Sequence, residues 1–220
     1  MKKILLLIVL LNLFLAGCIN YIQDVHLYAD GSGDMRIHYW MKITDKDEFK
    51  ILNKIGIFNA DSIRKEFMSP FDNVQKVRVY TDSSDSTTHA IIDLTFLHID
   101  SLNYTKTFSA ADFSLKNGED GLKVFHQFIS PIATGFGINT SQFHVIYKYT
   151  FGGDIITDNA TSINGRVLIW NYSLADIGNG KTISVTFKPF KLKRTPLWIY
   201  ALSGFVFLIV LIFLFKKKKN

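Results

Sequence analysis

The 220-residue sequence holds one cysteine, four prolines and six histidines. A single thiol excludes an internal disulfide, so a folded domain must be held by its apolar core. The prolines, Pro70, Pro131, Pro189 and Pro196, build no Pro-rich linker. No Ser-rich linker divides the chain and no internal repeat appears. HExxH, HxH and Cys–His spacings are missing, which removes the usual zinc sites. There is no G-x-S-x-G. Gly135-Phe136-Gly137 and Gly152-Gly153 lack the strand-then-helix setting of a phosphate loop. No carboxylate pair has a recognisable acid/base setting, and Ser83-Ser84-Asp85-Ser86 reads as a solvent-exposed turn. The expectation is therefore a protein that is not an enzyme, with no catalytic residue, no metal and no cofactor. His26 and His38 both lie six residues from Ser32. They are expected to face each other across a hairpin, either as two solvent-facing rings or as a weak metal pair.

An excess of positive charge is also missing where it would matter. The whole chain carries +6, but of its 25 Lys and Arg nine lie at the two ends. Residues 19–190 keep 16 against 19 Asp and Glu, a net −3, and the basic residues are scattered. No phosphate-tracking stripe exists, so nucleic acid is excluded as a partner.

Long apolar runs occur only at the ends. Lys2 and Lys3 precede an apolar run from Ile4 to Leu15 broken only by Asn12. Twelve residues rise about 18 Å as a helix, too little for a bilayer core of about 30 Å, and read as the apolar region of a signal peptide. Pro196 to Phe215 carries no charge and is followed by Lys216 to Lys219. That pattern predicts a transmembrane helix at 196–215 with a cytoplasmic lysine tail at 216–220. Lys191, Lys193 and Arg194 make 191–195 a basic juxtamembrane linker suited to anionic headgroups.

The single cysteine closes the leader, in Leu15-Ala16-Gly17-Cys18. This stretch resembles the lipobox of bacterial lipoproteins. The resemblance implies diacylglycerol transfer to the Cys18 thiol and cleavage between Gly17 and Cys18, which removes residues 1–17. It places residues 18–190 outside the cytoplasm, anchored at the cell membrane.

Within 18–190 the apolar period is mostly two. Tyr21 to Asp30 and Asp34 to Thr44 predict a hairpin around Gly31-Ser32-Gly33. Thr44 and Asp47 predict a helix start, with Phe49, Leu52 and Ile55 on one face and Gly56 at its end. Asn59 predicts the cap of a second short helix that Ser69-Pro70 stops. Strands are predicted over Val74–Tyr80, Ala90–Phe96, Phe113–Lys116, Leu122–Ile129, Phe143–Phe151, Ile155–Thr157, Arg166–Tyr172 and Thr182–Lys188. The expected fold class is α+β: an antiparallel sheet with a short helical insertion packed on one face, plus the C-terminal transmembrane helix.

The stretch YTFGGDIITDNATSINGRVLIWNYS resembles the closing segment of LppM-type bacterial lipoproteins, with Gly153, Asn159, Gly165 and Trp170 in matching places and Gly152 where proline is usual. The resemblance implies an extracytoplasmic α+β domain, and for such domains a role in binding lipids or glycolipids. Trp170 and the phenylalanines are expected either to fill the core or to wall an apolar ligand pocket. The functional expectation is a membrane-proximal module binding a lipid or lipid-linked envelope component. The alternative is a protein-interaction subunit of a cell-envelope complex; a hydrolase of unrecognised type ranks third.

Cys18→Ser is expected to abolish acylation and maturation. Radiolabelled palmitate should enter the wild-type chain and be absent from the variant; equal labelling would refute the lipobox reading.

Overall fold

The computed structural model describes residues 20–131, 144–190 and 197–215. Gly17, Cys18, the leader, Gly135-Phe136-Gly137, the basic linker 191–195 and the lysine tail lie outside these residues. The chain divides into two units, 1–189 and 190–220.

In the first unit, period-two alternation becomes two sheets. Sheet A contains β1 (Asn20–Leu27), β2 (Gly33–Lys42), β3 (Asp72–Asp82), β4 (Thr87–Phe96), β7 (His144–Phe151), β9 (Ser162–Asn164) and β10 (Val167–Ser173), in the order β3-β4-β2-β1-β7-β10-β9. Sheet B contains β5 (Ser114–Asn117), β6 (Lys123–Ile129), β8 (Gly153–Asp158) and β11 (Lys181–Pro189), in the order β5-β6-β11-β8. All pairings are antiparallel except β1 with β7, which run parallel.

The inner face of sheet A follows from parity. Val25 and Leu27, Met35 and Ile37, Ala90 to Phe96 at every second residue, Tyr147 to Phe151 likewise, Leu168 and Trp170 all point one way and are buried. Two covers lie on that face. Sheet B closes over β7 through Phe125 against Tyr149 (5.1 Å between centroids) and Phe187 against Phe151 (5.1 Å). The helical insertion closes over β2 and β3. Its helices are α1 (Lys46–Lys54), capped by the Asp45 carboxylate on the Asp47 N–H, and α2 (Ala60–Glu66), capped by Asn59 on the Ser62 N–H. Phe58 meets Tyr39, whose hydroxyl donates to the Ile57 carbonyl, and Arg64 of α2 donates to the Val74 carbonyl of β3. Two 3-10 turns, Ile99–Tyr104 and Lys106–Phe108, carry Phe108 between Phe67 and Phe113. A single-turn helix, α3 (Leu174–Ile177), follows β10 and carries a full capping box from Ser173 and Asp176.

The expected fold class is corrected in three respects. First, the strands form two sheets. The chain changes sheet at Gly152-Gly153, and this close passage leaves no room for a side chain at 153: a Cβ would lie 2.4 Å from the Lys188 carbonyl oxygen. Gly152 also donates its N–H to the Leu27 carbonyl at 2.8 Å, a bond that proline at this place could not make. Second, sheet A is mixed, since β1 and β7 pair parallel across more than a hundred residues of sequence. Third, no helix among the described residues is long and apolar enough to cross a membrane. In the second unit α4 (Leu197–Phe215) is 19 residues long. The transmembrane helix expected at 196–215 is therefore not supported.

The first hairpin is also displaced. β1 and β2 pair with Leu27 opposite Gly33 and His26 opposite Asp34, so the turn centres on Asp30. Tyr28 N–H donates to the Ser32 carbonyl and Gly31 N–H to the Tyr28 carbonyl.

Gly153→Ala is expected to lower unfolding stability by about 2 kcal/mol or more, because backbone of β11 must move. Gly165→Ala, at φ +60° with nothing within 4 Å of its Cβ, should cost only about 1 kcal/mol. Urea midpoints of the two variants check the ranking.

Candidate functional site

The outer face of sheet A is open: no side chain there is buried, on any of β1, β2, β4 or β7. Strand register sorts it into rows running across the sheet. The row level with the start of β1 is Tyr80, His89, Trp40 and Asn20. The next is Arg78, Ile91, His38, Ile22, Ile146 and Asn171. The third is charged: Lys76, Asp93, Arg36, Asp24 and Lys148. A fourth holds Thr95, Asp34, His26 and Thr150.

The first two rows make an aromatic ladder. Tyr80 and His89 stack at 4.8 Å with rings 8° apart, and His89 stacks on Trp40 at 5.9 Å. His38 lies 4.6 Å from Trp40, and its Nε2 meets His89 Nδ1 at 3.0 Å. His89 Nε2 meets the Thr87 hydroxyl oxygen at 2.7 Å. Strand alternation produces this directly: His38 and Trp40 are two apart on β2, while His89 and Tyr80 arrive at the same level from β4 and β3.

The third and fourth rows form a groove of about 640 Å³, with Asp24, His26, Asp34, Arg36, Lys76 and Asp93 among its walls. Its charges are largely paired. Arg36 Nε donates to Asp93 Oδ1 at 2.5 Å, and this carboxylate raises the guanidinium pKa. His26 Nδ1 lies 3.3 Å from Asp34 Oδ2, and the Tyr28 hydroxyl donates to Asp34 Oδ1. Such a groove offers both acceptors and donors to a hydroxyl- or phosphate-bearing group. Among the described residues no three His, Cys, Asp or Glu converge as a metal site.

The residues singled out in the sequence are placed as follows. Gly17 and Cys18 lie outside the described residues. Trp170 is fully buried, edge-on to Tyr149, with its indole N–H shared between the backbone and side-chain oxygens of Asn159 at 3.0 Å each. Neither the groove nor a smaller cleft of about 280 Å³ at Phe71, Phe96 and Leu97 includes it. His26 and His38 do not meet. His38 sits opposite Ile22, four residues along β1 from His26, and takes His89 as its partner instead. Ser84 and Thr87 donate to Asp82 and Asp85, so the Ser83–Ser86 segment is a hydrogen-bonded turn. The ladder was not foreseen, because His89 and Tyr80 give no signal until β3 and β4 are paired with β2.

No family model matches this sequence, and no curated protein matches it. Among solved structures it is similar to the folded domain of the Mycobacterium tuberculosis LppM protein, determined by NMR. The two share 14% identity with a TM-score of 0.48, over 80% of this chain and 93% of that one. A likeness of that size shows neither a shared family nor a shared function, and no residue role passes from it.

Partial burial, and then the proximity of His89, Arg36 and Arg78, lower the His38 pKa from its ordinary 6.5. Below that value the unfolded chain binds a proton that the folded imidazole refuses. Stability is thus retained above about pH 6.5 and falls as the pH drops from there toward the folded pKa. Urea midpoints should fall on acidification through this window, and less so in His38→Gln. An NMR titration should place the His38 midpoint below 6.5; a midpoint above it would contradict this account.

Proposed function

We propose that this chain is an extracytoplasmic lipoprotein whose domain binds, without turnover, the polar part of a lipid or lipid-linked envelope component. The observation that carries the reading is the open outer face of sheet A, with its aromatic ladder and charged groove, starting two residues after Cys18. Aromatic rings cover the apolar faces of a glycan or headgroup, and the groove supplies paired donors and acceptors for hydroxyls and phosphates. Anchoring at Cys18 raises the local concentration of a membrane ligand, so a modest intrinsic affinity suffices. The hydroxyl nearest a base on this face, Thr87 beside His89, already donates to the Asp85 carboxylate, and no metal cluster forms among the described residues, which is why binding is preferred to hydrolysis.

A second reading, a docking subunit of an envelope complex, is favoured by a different feature. Met68, Phe71, Leu97 and Tyr104 are exposed, and Phe71 and Tyr104 lie 5.7 Å apart beside the smaller cleft. Exposed apolar side chains grouped in this way suit a protein partner.

Lipid extraction from the purified chain followed by mass spectrometry separates the two. A headgroup- or glycan-bearing lipid is expected in near-stoichiometric amount. Its retention should fall about tenfold in Lys76→Ala, the equivalent of losing about 1.4 kcal/mol. A lipid-free chain that captures one envelope protein stoichiometrically would replace this proposal with the second.

A further inference from the structure

The aromatic row and the acylation site lie at the same end of the sheet. Asn20, the first residue of β1, pairs with Trp40; Trp40 pairs with His89; His89 pairs with Tyr80. Cys18 precedes Asn20 by two residues, and two residues span at most about 7 Å in any conformation. The acyl chains implied for Cys18 therefore begin within about one side-chain length of this row. Trp and Tyr are the side chains that collect at the boundary between headgroups and acyl chains, because each combines an apolar ring with a polar edge. The row supplies both, with imidazole between them.

The remaining rows fix which way the sheet points. Moving along β1 from Asn20, the outer face passes from Trp40, Tyr80 and His89, through Ile22, Ile91 and Ile146, to the charged set Asp24, Arg36, Lys76 and Asp93. Asp24 is four residues beyond Asn20 and His26 six, which is about 13 and about 20 Å along a strand. Aromatic character is greatest at the end nearest Cys18, where Lys42, Thr87 and Asp82 lie one row beyond Trp40, His89 and Tyr80; Arg78 stands in the second row, and the densest set of charges lies in the third.

We infer that the Tyr80–His89–Trp40 row sits in the headgroup layer of the membrane that holds Cys18, so that the domain stands on this end of sheet A. The occupant of the row is a lipid surface. This placement rests on the acylation of Cys18. It deepens the proposed function: the groove is then held about 13–20 Å above the row, out of reach of a simple phospholipid headgroup. The ligand class it fits is a lipid whose headgroup extends through several sugar units.

The test uses the full chain with Cys18 acylation verified by mass spectrometry. It is placed in phosphatidylethanolamine–phosphatidylglycerol vesicles containing a lipid spin-labelled on its headgroup. With Trp198→Phe as background, Trp40 and the buried Trp170 report. We expect the spin label to quench the emission by about half, the quenching to vanish in Trp40→Phe, and a Thr95→Trp reporter in that variant to remain unquenched. Unquenched Trp40 beside an acylated Cys18 overturns the placement while leaving lipid binding, measured separately by extraction, untouched. Equal quenching at Thr95→Trp overturns it as well, because the sheet would then lie flat. A chain without acyl groups on Cys18 overturns both the anchor and the placement.

Discussion

A buried hydrogen-bonded chain ties the two sheets to each other. The Tyr21 hydroxyl donates to Gln23 Oε1 at 2.9 Å, Gln23 Nε2 donates to the Tyr149 hydroxyl at 3.0 Å, and that hydroxyl donates to Gln127 Oε1 at 2.5 Å. Tyr21 and Gln23 are on β1, Tyr149 on β7 and Gln127 on β6 of sheet B. Gln23, Tyr149 and Gln127 are almost wholly shielded from water, and loss of water pushes the Tyr149 hydroxyl pKa far up, so it remains a donor. Apolar contacts alone would let sheet B slide over sheet A. A buried amide that finds its partner in only one alignment does not, since an unpaired polar group there would cost about 1–3 kcal/mol. The parallel pairing of β1 and β7, the position of β6 and the sheet change at Gly152-Gly153 all agree with that alignment.

Local signals in the sequence were largely legible. Asn59 caps α2 as expected, the second cap is one residue later than Thr44, at Asp45, and most strands lie within two or three residues of their predicted ranges. What could not be read was pairing. Alternation says that Val145, Tyr147, Tyr149 and Phe151 share a face, but not that the strand joins β1 in parallel. It says that Gly152-Gly153 interrupts a strand, but not that the next strand enters another sheet. The hairpin shows the same limit in miniature. Counting from Ser32 would put His26 and His38 side by side, while the turn centred on Asp30 places them four residues apart along the strand. The 3-10 turns between Ile99 and Phe108 have no clear period and were missed.

The candidate site shows this division more sharply. Its charged and aromatic members come largely from two hairpins, β1–β2 and β3–β4, with the helical insertion between them in sequence, and each looks ordinary in its own strand. Only the registers of β2 with β4 and of β4 with β3 turn Trp40, His38, His89 and Tyr80 into a ladder. Trp170, which the sequence made conspicuous, is instead a core residue with a satisfied indole N–H. A large aromatic in a strand is legible as important without revealing whether it serves packing or recognition.

The exit of the chain from the sheets has a mechanical consequence. Pro189 ends β11 paired with Gly153, beside Gly152, whose N–H is bonded to Leu27 at the far end of β1. The described domain is thus entered at Asn20 and left near the opposite end of the same strand. Tension applied between these two points would act along β1. Ladder hydrogen bonds run across the strands, so such a pull loads the bonds to β2 and β7 together, in shear, and cannot peel them open one at a time. A central strand gripped on both sides resists that mode best. The order of the sheet therefore makes this domain stiff along the line joining its two ends and more compliant to forces across it.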